Sequence, residues 1–353
     1  MKTTIKNMLK EAKKRLKKDL GLLAYYSNKF FSPQKQSLAL DFDPTTLPFI
    51  DRPEYSFAEL NKRISPYGKL PYNLEKKLDF FREYGYVVLE NVLPVNDVDD
   101  IWNEIEFVTE NHENYDIDGL AHRFNDQKET PIKLIPKENL NGIGTRFIDY
   151  HDSSVRAKNL ITHPNLAPFL QASLTPKMTV FQSLIFKYSS QQDLHQDFPW
   201  VTTKIPSHLV AAWIPLEDVH PDAGPLFYYP KSHRMPKFDF GKTGILYHSE
   251  QSLFSPDKFS RYLTETCTQL GLKKEILLIK KGDVLFWHGA LAHGGMPIND
   301  PAKTRKSFVV HYSTTDGQPQ HRRSNVPESN PDQYHGITIY SNPLLAHQKD
   351  IVK

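Results

Sequence analysis

The sequence predicts a mainly β fold with flanking helices. Aromatic residues and proline are abundant in the 353-residue chain, which holds 21 Phe, 17 Tyr and 26 Pro. This mixture suits short strands joined by many turns better than a helical bundle. From residue 178 onward, runs rich in β-branched and aromatic residues alternate with turn-forming segments such as "HPDAG" and "INDPAK". Helical periodicity is concentrated in the first third of the chain.

The bulk composition excludes several classes of protein. Hydrophobic residues make up 39% of the chain and charged residues 24%, as in an ordinary globular protein. The net charge of +3 does not favour nucleic acid as a partner. Cys267 is the single cysteine, which rules out an intrachain disulfide and fits a reducing compartment. No apolar run is long enough to span a bilayer and the N-terminus lacks the apolar core of a secretory signal, so a cytoplasmic location is expected.

Residues 1–24 predict a basic amphipathic helix. Apolar residues recur there at helical spacing, and lysines and Arg15 occupy the other positions. Two interpretations stay open. The helix makes a weak contact with an anionic membrane surface or an acidic protein, or it packs on the main domain with its basic side in solvent. Residues 25–75 are rich in Pro, Ser, Asn and Asp and are expected to form an extended arm or linker.

The main domain is expected to span residues 76–316. It begins with a helix that ends at Gly85, followed by a strand over residues 86–89 and a second helix for which Asn96 is a candidate N-cap. Residues 112–150 look irregular and suit a lid or an insertion. Residues 317–353 are expected to form a C-terminal extension packed on the domain.

Five segments of the second half predict strands. A longer mixed segment, residues 232–272, interrupts them and is compatible with a helix. The strand segments are "MTVFQSLIFKYS", "HLVAAWIPLED", "GPLFYYPKS", "EILLIKKGDVLFWHG" and "KSFVVHYST".

The stretch "LHQDFPW" contains the first candidate metal ligands. In an extended chain, His195 and Asp197 point to the same side because they are two residues apart. An imidazole and a carboxylate form two thirds of the facial triad that holds non-haem Fe(II), which needs a second histidine. The pair alone is a weak signal, since a simple ion pair has the same spacing.

The second histidine is sought in "GDVLFWHGALAHGGMPINDPAKTRKSFVVHYS", which offers His288 and His293. If "INDPAK" forms a hairpin turn near Asn299, His293 faces Arg305 across the ladder. Enzymes with this triad commonly use 2-oxoglutarate, whose distal carboxylate needs a fixed cation such as a guanidinium. His293 is therefore preferred as the third ligand, and His288 is expected outside the ligand set.

With these residues in place, the chain resembles the phytanoyl-CoA dioxygenase family of Fe(II)/2-oxoglutarate oxygenases. The resemblance covers about residues 76–316. Its motifs occur in the family's order, and Arg305 follows His293 by twelve residues. The motifs are "FREYGYVVLENVLP", "LHQD", "AAWIPLEDVHPDAGPLFYYPKSHR" and "KKGDVLFWHGALAHGG".

The resemblance implies a double-stranded β-helix (a cupin-like jelly roll) with Fe(II), 2-oxoglutarate and O2 as cofactor and co-substrates. It implies that His195, Asp197 and His293 bind the metal and that Arg305 binds the 2-oxoglutarate carboxylate. It implies a dioxygenase that hydroxylates a small molecule and releases succinate and CO2. The carboxylate of Asp197 favours hydroxylation over halogenation, because halogenating members lack it.

Two further residues are weaker candidates for the co-substrate pocket. Gln182 is either a contact of 2-oxoglutarate or a structural hydrogen-bond donor, and Trp213 is either a wall of that pocket or a core residue. The chain departs from the family's pattern at Lys231, where relatives usually have glycine, and at Gly295, where some carry a hydroxyl group.

Two rival functions stay open on sequence alone. One is a cupin-like metal protein that does not use 2-oxoglutarate, against which the intact Arg305 argues. The other is a catalytically inactive jelly-roll scaffold or binding protein, against which the complete triad argues. "HRRS", residues 321–324, suits either a grip on an anionic group or a solvated turn. No motif identifies the substrate.

Overall fold

The computed structural model describes residues 11–22, 39–121, 128–319, 331–340 and 345. Within these ranges the α-helices are α1 (residues 11–22), α2 (Phe57–Asn61), α3 (Leu74–Tyr84), α4 (Val95–Glu110), α5 (Lys137–Leu140), α6 (Val155–Ile161), α7 (Ala167–Ser173) and α8 (Pro256–Gln269). The strands are β1 (Tyr86–Leu89), β2 (Asp118–Leu120), β3 (Thr130–Pro131), β4 (Arg146–Ile148), β5 (Met178–Phe186), β6 (Val210–Pro215), β7 (Leu226–Tyr228), β8 (Glu275–Ile276), β9 (Val284–His288), β10 (His293–Gly295), β11 (Ser307–Thr314), β12 (Asp332–Tyr334) and β13 (Ile337–Ile339).

The first helix–strand unit of the main domain matches its prediction. Helix α3 begins after Asn73, whose side chain accepts a hydrogen bond from the Lys76 amide, as an N-cap does. It ends at Gly85, which has a φ of 79° and donates its amide hydrogen to the carbonyl of Phe81. A left-handed residue at this point is the usual way to stop a helix, and it turns the chain into β1.

Helix α4 corrects one prediction. Asn96 is not its N-cap; the helix already includes Val95, and Pro94 occupies the cap position. The φ of Pro94 is −59°, and the proline ring holds it near the helical value, so the chain can enter the helix one residue earlier than Asn96.

Two sheets face each other across the site. The larger has the order β1-β9-β6-β11-β5-β4-β2-β3, and β12 and β13 attach beside β5. The smaller has the order β10-β7-β8. Except for the β13–β5 pairing, the ladders are antiparallel. This is the double-stranded β-helix expected from the sequence, with α3, α4, α6 and α7 packed on the outer face of the larger sheet.

The strands of the larger sheet divide their side chains between two cores. Val284 and Phe286 of β9, like Val310 of β11, face the helices and join the largest apolar cluster. Leu285 and Trp287 of β9 point the other way, into a second cluster between the sheets. This alternation follows from the period of two along a strand, and it directs every second residue of β9, β6 and β11 toward the space between the sheets.

The prediction that residues 112–150 are irregular is partly wrong. Its strands β2, β3 and β4 extend the larger sheet, and β4 pairs directly with β5. These strands are two or three residues long, which leaves too little alternation for a pattern in the sequence. Residues 122–127 lie outside the described residues.

The described part of the predicted arm, from residue 39, is folded against the domain. It forms 3-10 turns at Pro44–Thr46 and Phe49–Asp51 and the short helix α2. Ile50 and Leu60 are buried in the largest cluster. Helix α1 differs: residues 11–20 are all exposed.

A helix in the mixed segment and a C-terminal hairpin complete the described fold. Helix α8 lies in the mixed segment, and Cys267 on it is fully buried, which raises the pKa of its thiol to about 11. Strands β12 and β13 pack the C-terminal extension against β5. "HRRS" lies outside the described residues. In the described ranges no helix has both the length and the apolarity needed to cross a membrane.

Candidate metal centre

The candidate metal ligands meet where the two sheets approach each other. His195 and His293 exchange two backbone hydrogen bonds of 2.9 Å, which forms a one-pair bridge between the loop after β5 and strand β10. Their imidazole centroids are 4.3 Å apart. One ligand atom from each of His195, Asp197 and His293 lies within 4.8 Å of the others. The structure therefore brings together the three residues chosen from the sequence.

The "LHQD" motif lies in the loop that follows β5. Strand β5 ends at Phe186, and His195 follows nine residues later. The backbone amide of Asp197 donates to the carbonyl of Gly289 over 3.0 Å, which anchors this loop to the segment after β9. The side chain of Gln196 points away from the centre and donates to the carbonyl of Ala290. His195 and Asp197 still share one side of the chain because it is extended there.

Hydrogen bonds set which nitrogen each imidazole presents. Nδ1 of His195 lies 2.7 Å from the carbonyl oxygen of Asp193, and Nδ1 of His293 lies 2.9 Å from that of Leu291. A carbonyl only accepts, so each Nδ1 carries the proton and each Nε2 keeps its lone pair. Both Nε2 atoms lie 3.6 Å from Oδ1 of Asp197. The three donor atoms face one point, as a facial triad requires.

Burial and mutual charge shape the protonation of this cluster. Burial, followed by the neighbouring His293, lowers the pKa of His195 to about 4, so its imidazole is neutral and ready to bind a metal at neutral pH. Burial alone would raise the pKa of Asp197, but His293, His311 and His195 outweigh it and hold the carboxyl pKa well below its usual range. The neutral His195 imidazole beside the ionised Asp197 carboxylate suits the binding of a divalent cation.

Arg305 lies in the same cavity, without an anionic partner in the part of the chain that the structure describes. The cavity, of about 80 Å³, is lined by residues that include His195, His293 and Arg305. The Arg305 side chain is 4% exposed and donates to the carbonyl of Gly224 over 2.9 Å. Among the described residues no carboxylate lies within ion-pair distance of it, and its Nε has no hydrogen-bond partner. Burial lowers the pKa of Arg305 to about 10, which leaves the guanidinium charged.

His293 and Arg305 line the same cavity, but the hairpin that was predicted to bring them together is wrong. His293 does not face Arg305 in a hairpin; β10 pairs with β7 of the smaller sheet, and β11 pairs with β5 and β6 of the larger one. In a jelly roll the chain crosses from one sheet to the other between successive strands. The segment around Asn299 makes that crossing, so His293 and Arg305 meet across the cavity and not along a ladder.

The weaker candidates occupy different places. Trp213 lines the cavity, where the Arg305 guanidinium carbon lies 5.6 Å from its ring centroid. Its indole nitrogen is buried without a hydrogen-bond partner among the described residues. Gln182 lies opposite His311 in the β5–β11 ladder, but Leu184 and Phe186 line the cavity instead. His288 is outside the cluster and lies 3.3 Å from Asp51.

Two residues of the site escaped the sequence reasoning. The indole nitrogen of Trp287 donates to Oδ2 of Asp197 over 2.7 Å. Nε2 of His311 lies 3.5 Å from the same oxygen. A signal for His311 was present, since "RKSFVVHYS" places it six residues after Arg305, on the same face of a strand.

The turn before His233 contains Lys231, at which the sequence departs from the family's pattern. Lys231 stands where glycine is usual and has a φ of 70°, in the left-handed region. Its ammonium group lies 2.7 Å from a carboxylate oxygen of Glu83 and 5.0 Å from the Tyr84 ring centroid, contacts that a glycine would lack.

Comparison with known proteins points to one family. A family model described as phytanoyl-CoA dioxygenase matches residues 81–307, more than half of the chain. The peroxisomal phytanoyl-CoA dioxygenase of Homo sapiens is 21% identical over 252 residues, which cover 67% of each chain. That of Bos taurus is 22% identical over 247 residues, or 66% of each chain.

Solved structures share the fold at low sequence identity. The structure of EctD from S. alaskensis with 2-oxoglutarate and 5-hydroxyectoine has a TM-score of 0.54 and 15% identity, with coverage of 88% of this chain and 97% of that one. The epimerase SnoN in complex with Fe3+, alpha ketoglutarate and nogalamycin RO has a TM-score of 0.51 and 17% identity, with coverage of 77% and 95%. These likenesses support the jelly-roll architecture.

Proposed function

Since the chain belongs to the phytanoyl-CoA dioxygenase family, we propose that it is an Fe(II)- and 2-oxoglutarate-dependent dioxygenase that hydroxylates a small molecule. The observation that carries this proposal is the buried Arg305, whose guanidinium shares the cavity of the metal cluster and has no anion among the described residues. A buried charge without a counter-ion is costly, so such a site is built to receive an anion. The distal carboxylate of 2-oxoglutarate is an anion of this kind.

The donor set fits iron. His195 and His293 would supply Nε2 atoms and Asp197 would supply Oδ1, which is the two-histidine, one-carboxylate triad of non-haem Fe(II) oxygenases. Zinc enzymes use comparable ligands, but activation of a zinc-bound water does not need a second buried cation placed to receive a carboxylate. The combination of triad and arginine is therefore what separates a 2-oxoglutarate enzyme from a cupin-like protein that binds only metal.

The chain's own residues bind and orient the reactants. When bound, iron and 2-oxoglutarate supply the oxidation, in which one atom of O2 enters succinate, CO2 leaves and the other atom enters the substrate as hydroxyl. The Nδ1 bonds of His195 and His293 hold the imidazoles in the neutral, ligating tautomer. Arg305 would fix the far carboxylate, with Trp213 as the wall beneath it. The apolar side chains between the sheets limit access of water.

The type of oxidation, the substrate and the cellular location are also proposed here. A structural neighbour is named as an epimerase, and the proposal of hydroxylation rests on Asp197, whose carboxylate argues against halogenation. The substrate is proposed only as a small molecule. A cytoplasmic location is proposed from the single buried Cys267, whereas the mammalian relatives are named as peroxisomal.

We also propose a weak contact of helix α1 with an anionic membrane surface. Leu16 and Leu20 on this helix are 61% and 59% exposed, one turn apart, and five basic residues surround them. A helix that displays leucines beside lysines suits the interface of an anionic bilayer.

The proposed chemistry is tested by anaerobic optical titration of the protein with Fe(II) and then 2-oxoglutarate. Chelation of the iron by the keto acid produces a visible charge-transfer band, which we expect for the wild type. Asp197→Ala should weaken it by loss of the metal, and Arg305→Ala by loss of co-substrate affinity. Asp51→Asn changes a carboxylate that also lies beside a histidine but outside the cavity, and should leave the band unchanged. A folded wild type without the band would rule out this function.

A further inference from the structure

The two carboxylate oxygens of Asp197 have different surroundings. Oδ1 lies 3.6 Å from Nε2 of both His195 and His293. Oδ2 faces the opposite side, where the Trp287 indole donates to it over 2.7 Å and Nε2 of His311 lies 3.5 Å away. One oxygen is thus directed to the metal position and the other to the body of the larger sheet.

His311 is a buried polar side chain that the proposed chemistry does not use. It is 3% exposed, lines the cavity, and has no hydrogen-bond partner for either ring nitrogen among the described residues. An imidazole buried in this way loses its hydration without compensation, unless a nearby group accepts its proton. Oδ2 of Asp197 lies 3.5 Å from Nε2 of His311, at the outer limit of hydrogen-bond distance.

The strand explains why the residue is rigidly placed. His311 pairs with Gln182 of β5 and with Ala211 of β6, so its backbone is held from both sides in the middle of the larger sheet. A register irregularity follows directly, between His311 and Tyr312. The extra residue is Phe181 of β5, whereas the pairing of β11 with β6 continues without a shift, so His311 keeps a regular place opposite Ala211.

We infer that His311 is a positioning residue for the metal ligand Asp197. Its Nε2–H donates to Oδ2, so that His311 and Trp287 together hold that oxygen and leave Oδ1 alone for the metal. A carboxylate tied in this way has one orientation, which keeps the remaining coordination positions free for 2-oxoglutarate and O2. This inference rests on the proposed function, because it assumes that Asp197 is a metal ligand.

The test separates hydrogen bonding from packing through two substitutions at one position. His311→Leu fills similar space without a donor, and His311→Gln retains an N–H at nearly the reach of Nε2. Partners of this kind typically change metal affinity by about 10- to 100-fold. For His311→Leu we expect the dissociation constant for Mn(II) to rise by that factor. Electron paramagnetic resonance of the free ion measures it. Most of the affinity should return in His311→Gln.

Two further variants complete the design. Trp287→Phe keeps the aromatic packing but removes the second donor, and should also weaken Mn(II) binding. Tyr312→Phe is the matched control, since its hydroxyl donates to the carbonyl of Ile161 over 2.7 Å on the other face of the same strand. It should lower thermal stability and leave Mn(II) affinity unchanged.

The outcomes are distinct. Wild-type affinity in folded His311→Leu, or equal losses in the Leu and Gln variants, would overturn the role of His311. If His311→Leu does not fold, a large loss of Mn(II) affinity in folded His311→Gln overturns it instead. A wild type that binds Mn(II) with this pattern of variants, but gives no band with Fe(II) and 2-oxoglutarate, would refute the proposed function and leave the positioning role of His311 intact.

Discussion

Gly85 and His233 meet at the point where α3 turns into β1. Gly85 has a φ of 79°, and a Cβ built on it would lie 2.3 Å from Nδ1 of His233. His233 is 6% exposed, and its Nε2 lies 3.2 Å from the carbonyl oxygen of Arg82. Burial, together with the neighbouring His288, lowers the pKa of His233 to about 3. The neutral imidazole packs where a side chain on residue 85 would have to be.

Gly85→Ala is therefore expected to destabilise the protein through two effects. The left-handed backbone costs an alanine about 1–2 kcal/mol. Displacement of the buried His233 adds on the order of 1–3 kcal/mol, as overpacking does. Gly271→Ala is the matched control, because Gly271 also follows a helix, has a φ of 64° and has open space around it. Urea unfolding should show the larger loss for Gly85→Ala, and equal losses would contradict the packing effect.

Residue-level chemistry was predictable where it depends on spacing along the chain. His195 and Asp197 are two apart, and Arg305 follows His293 by twelve, so a sequence can reveal them. Trp287 and His311 act on Asp197 from strands about 90 and 114 positions further along the chain. The registers of β9 and β11 in the larger sheet place these two side chains beside Asp197. A short sequence motif does not reveal the register of a strand.

Elements with a clear period and a clear stop were predicted well, and the others were not. α3 has an N-cap, an amphipathic face and a terminal glycine, and each of these marks a boundary. β10 is three residues long and contains two glycines. It carries too little pattern to choose between a hairpin with β11 and a place in the smaller sheet. The crossing between sheets is a property of the fold and not of the turn near Asn299.

Helix α1 gives an element-scale prediction. If its exposed leucines enter an anionic bilayer, vesicles containing phosphatidylserine should bind the protein at low salt and release it at high salt. Each buried leucine contributes about 1.5–3 kcal/mol, so Leu16→Ser with Leu20→Ser should weaken binding by roughly a hundredfold or more. Co-sedimentation measures this.

The control for the leucine substitutions is Leu134→Ser with Leu278→Ser. These leucines are 62% and 58% exposed, much as those of α1 are, and lysines flank them too, but they lie in the main domain and not one turn apart on one basic helix. The control pair should leave vesicle binding unchanged. Equal losses in both pairs would mean that general surface hydrophobicity is responsible, and wild-type protein that stays in the supernatant at low salt would direct the search to an acidic protein partner.

At the scale of the whole molecule, the candidate metal centre joins the two sheets. His293 belongs to β10 of the smaller sheet, which pairs there with β7. Asp197 is tied through Trp287 to β9 of the larger sheet, and Arg305 leads into β11 of the same sheet. In the described residues, the pairing of the smaller sheet is confined to the five residue pairs of the β10–β7 and β7–β8 ladders. A metal held by residues anchored to both sheets would therefore stabilise their packing.

Removal of the metal is accordingly expected to lower the thermal stability of the native protein. A ligand at a hundred times its dissociation constant stabilises a fold by about 2.7 kcal/mol, which corresponds to a rise in Tm of roughly 5 °C for a large domain. Treatment with a chelator should reverse that rise. Arg305→Ala should keep the increment from the metal and lose the further increment from 2-oxoglutarate, whereas Asp197→Ala should lose both.

Hydrogen exchange distinguishes local stabilisation at the metal centre from a general stabilisation of the fold by the bound metal. With metal bound, amides of β10 and of the segment between Gly289 and Leu291 should exchange more slowly, because they lie beside the ligands. The β12–β13 hairpin, which packs beside β5 through Thr338 and Thr179, is the internal reference and should not change. If protection rises equally in both places, the metal acts on global unfolding alone. If Asp197→Ala gains as much stability from the metal as the wild type, the ion binds elsewhere and the sheets are not joined at this centre.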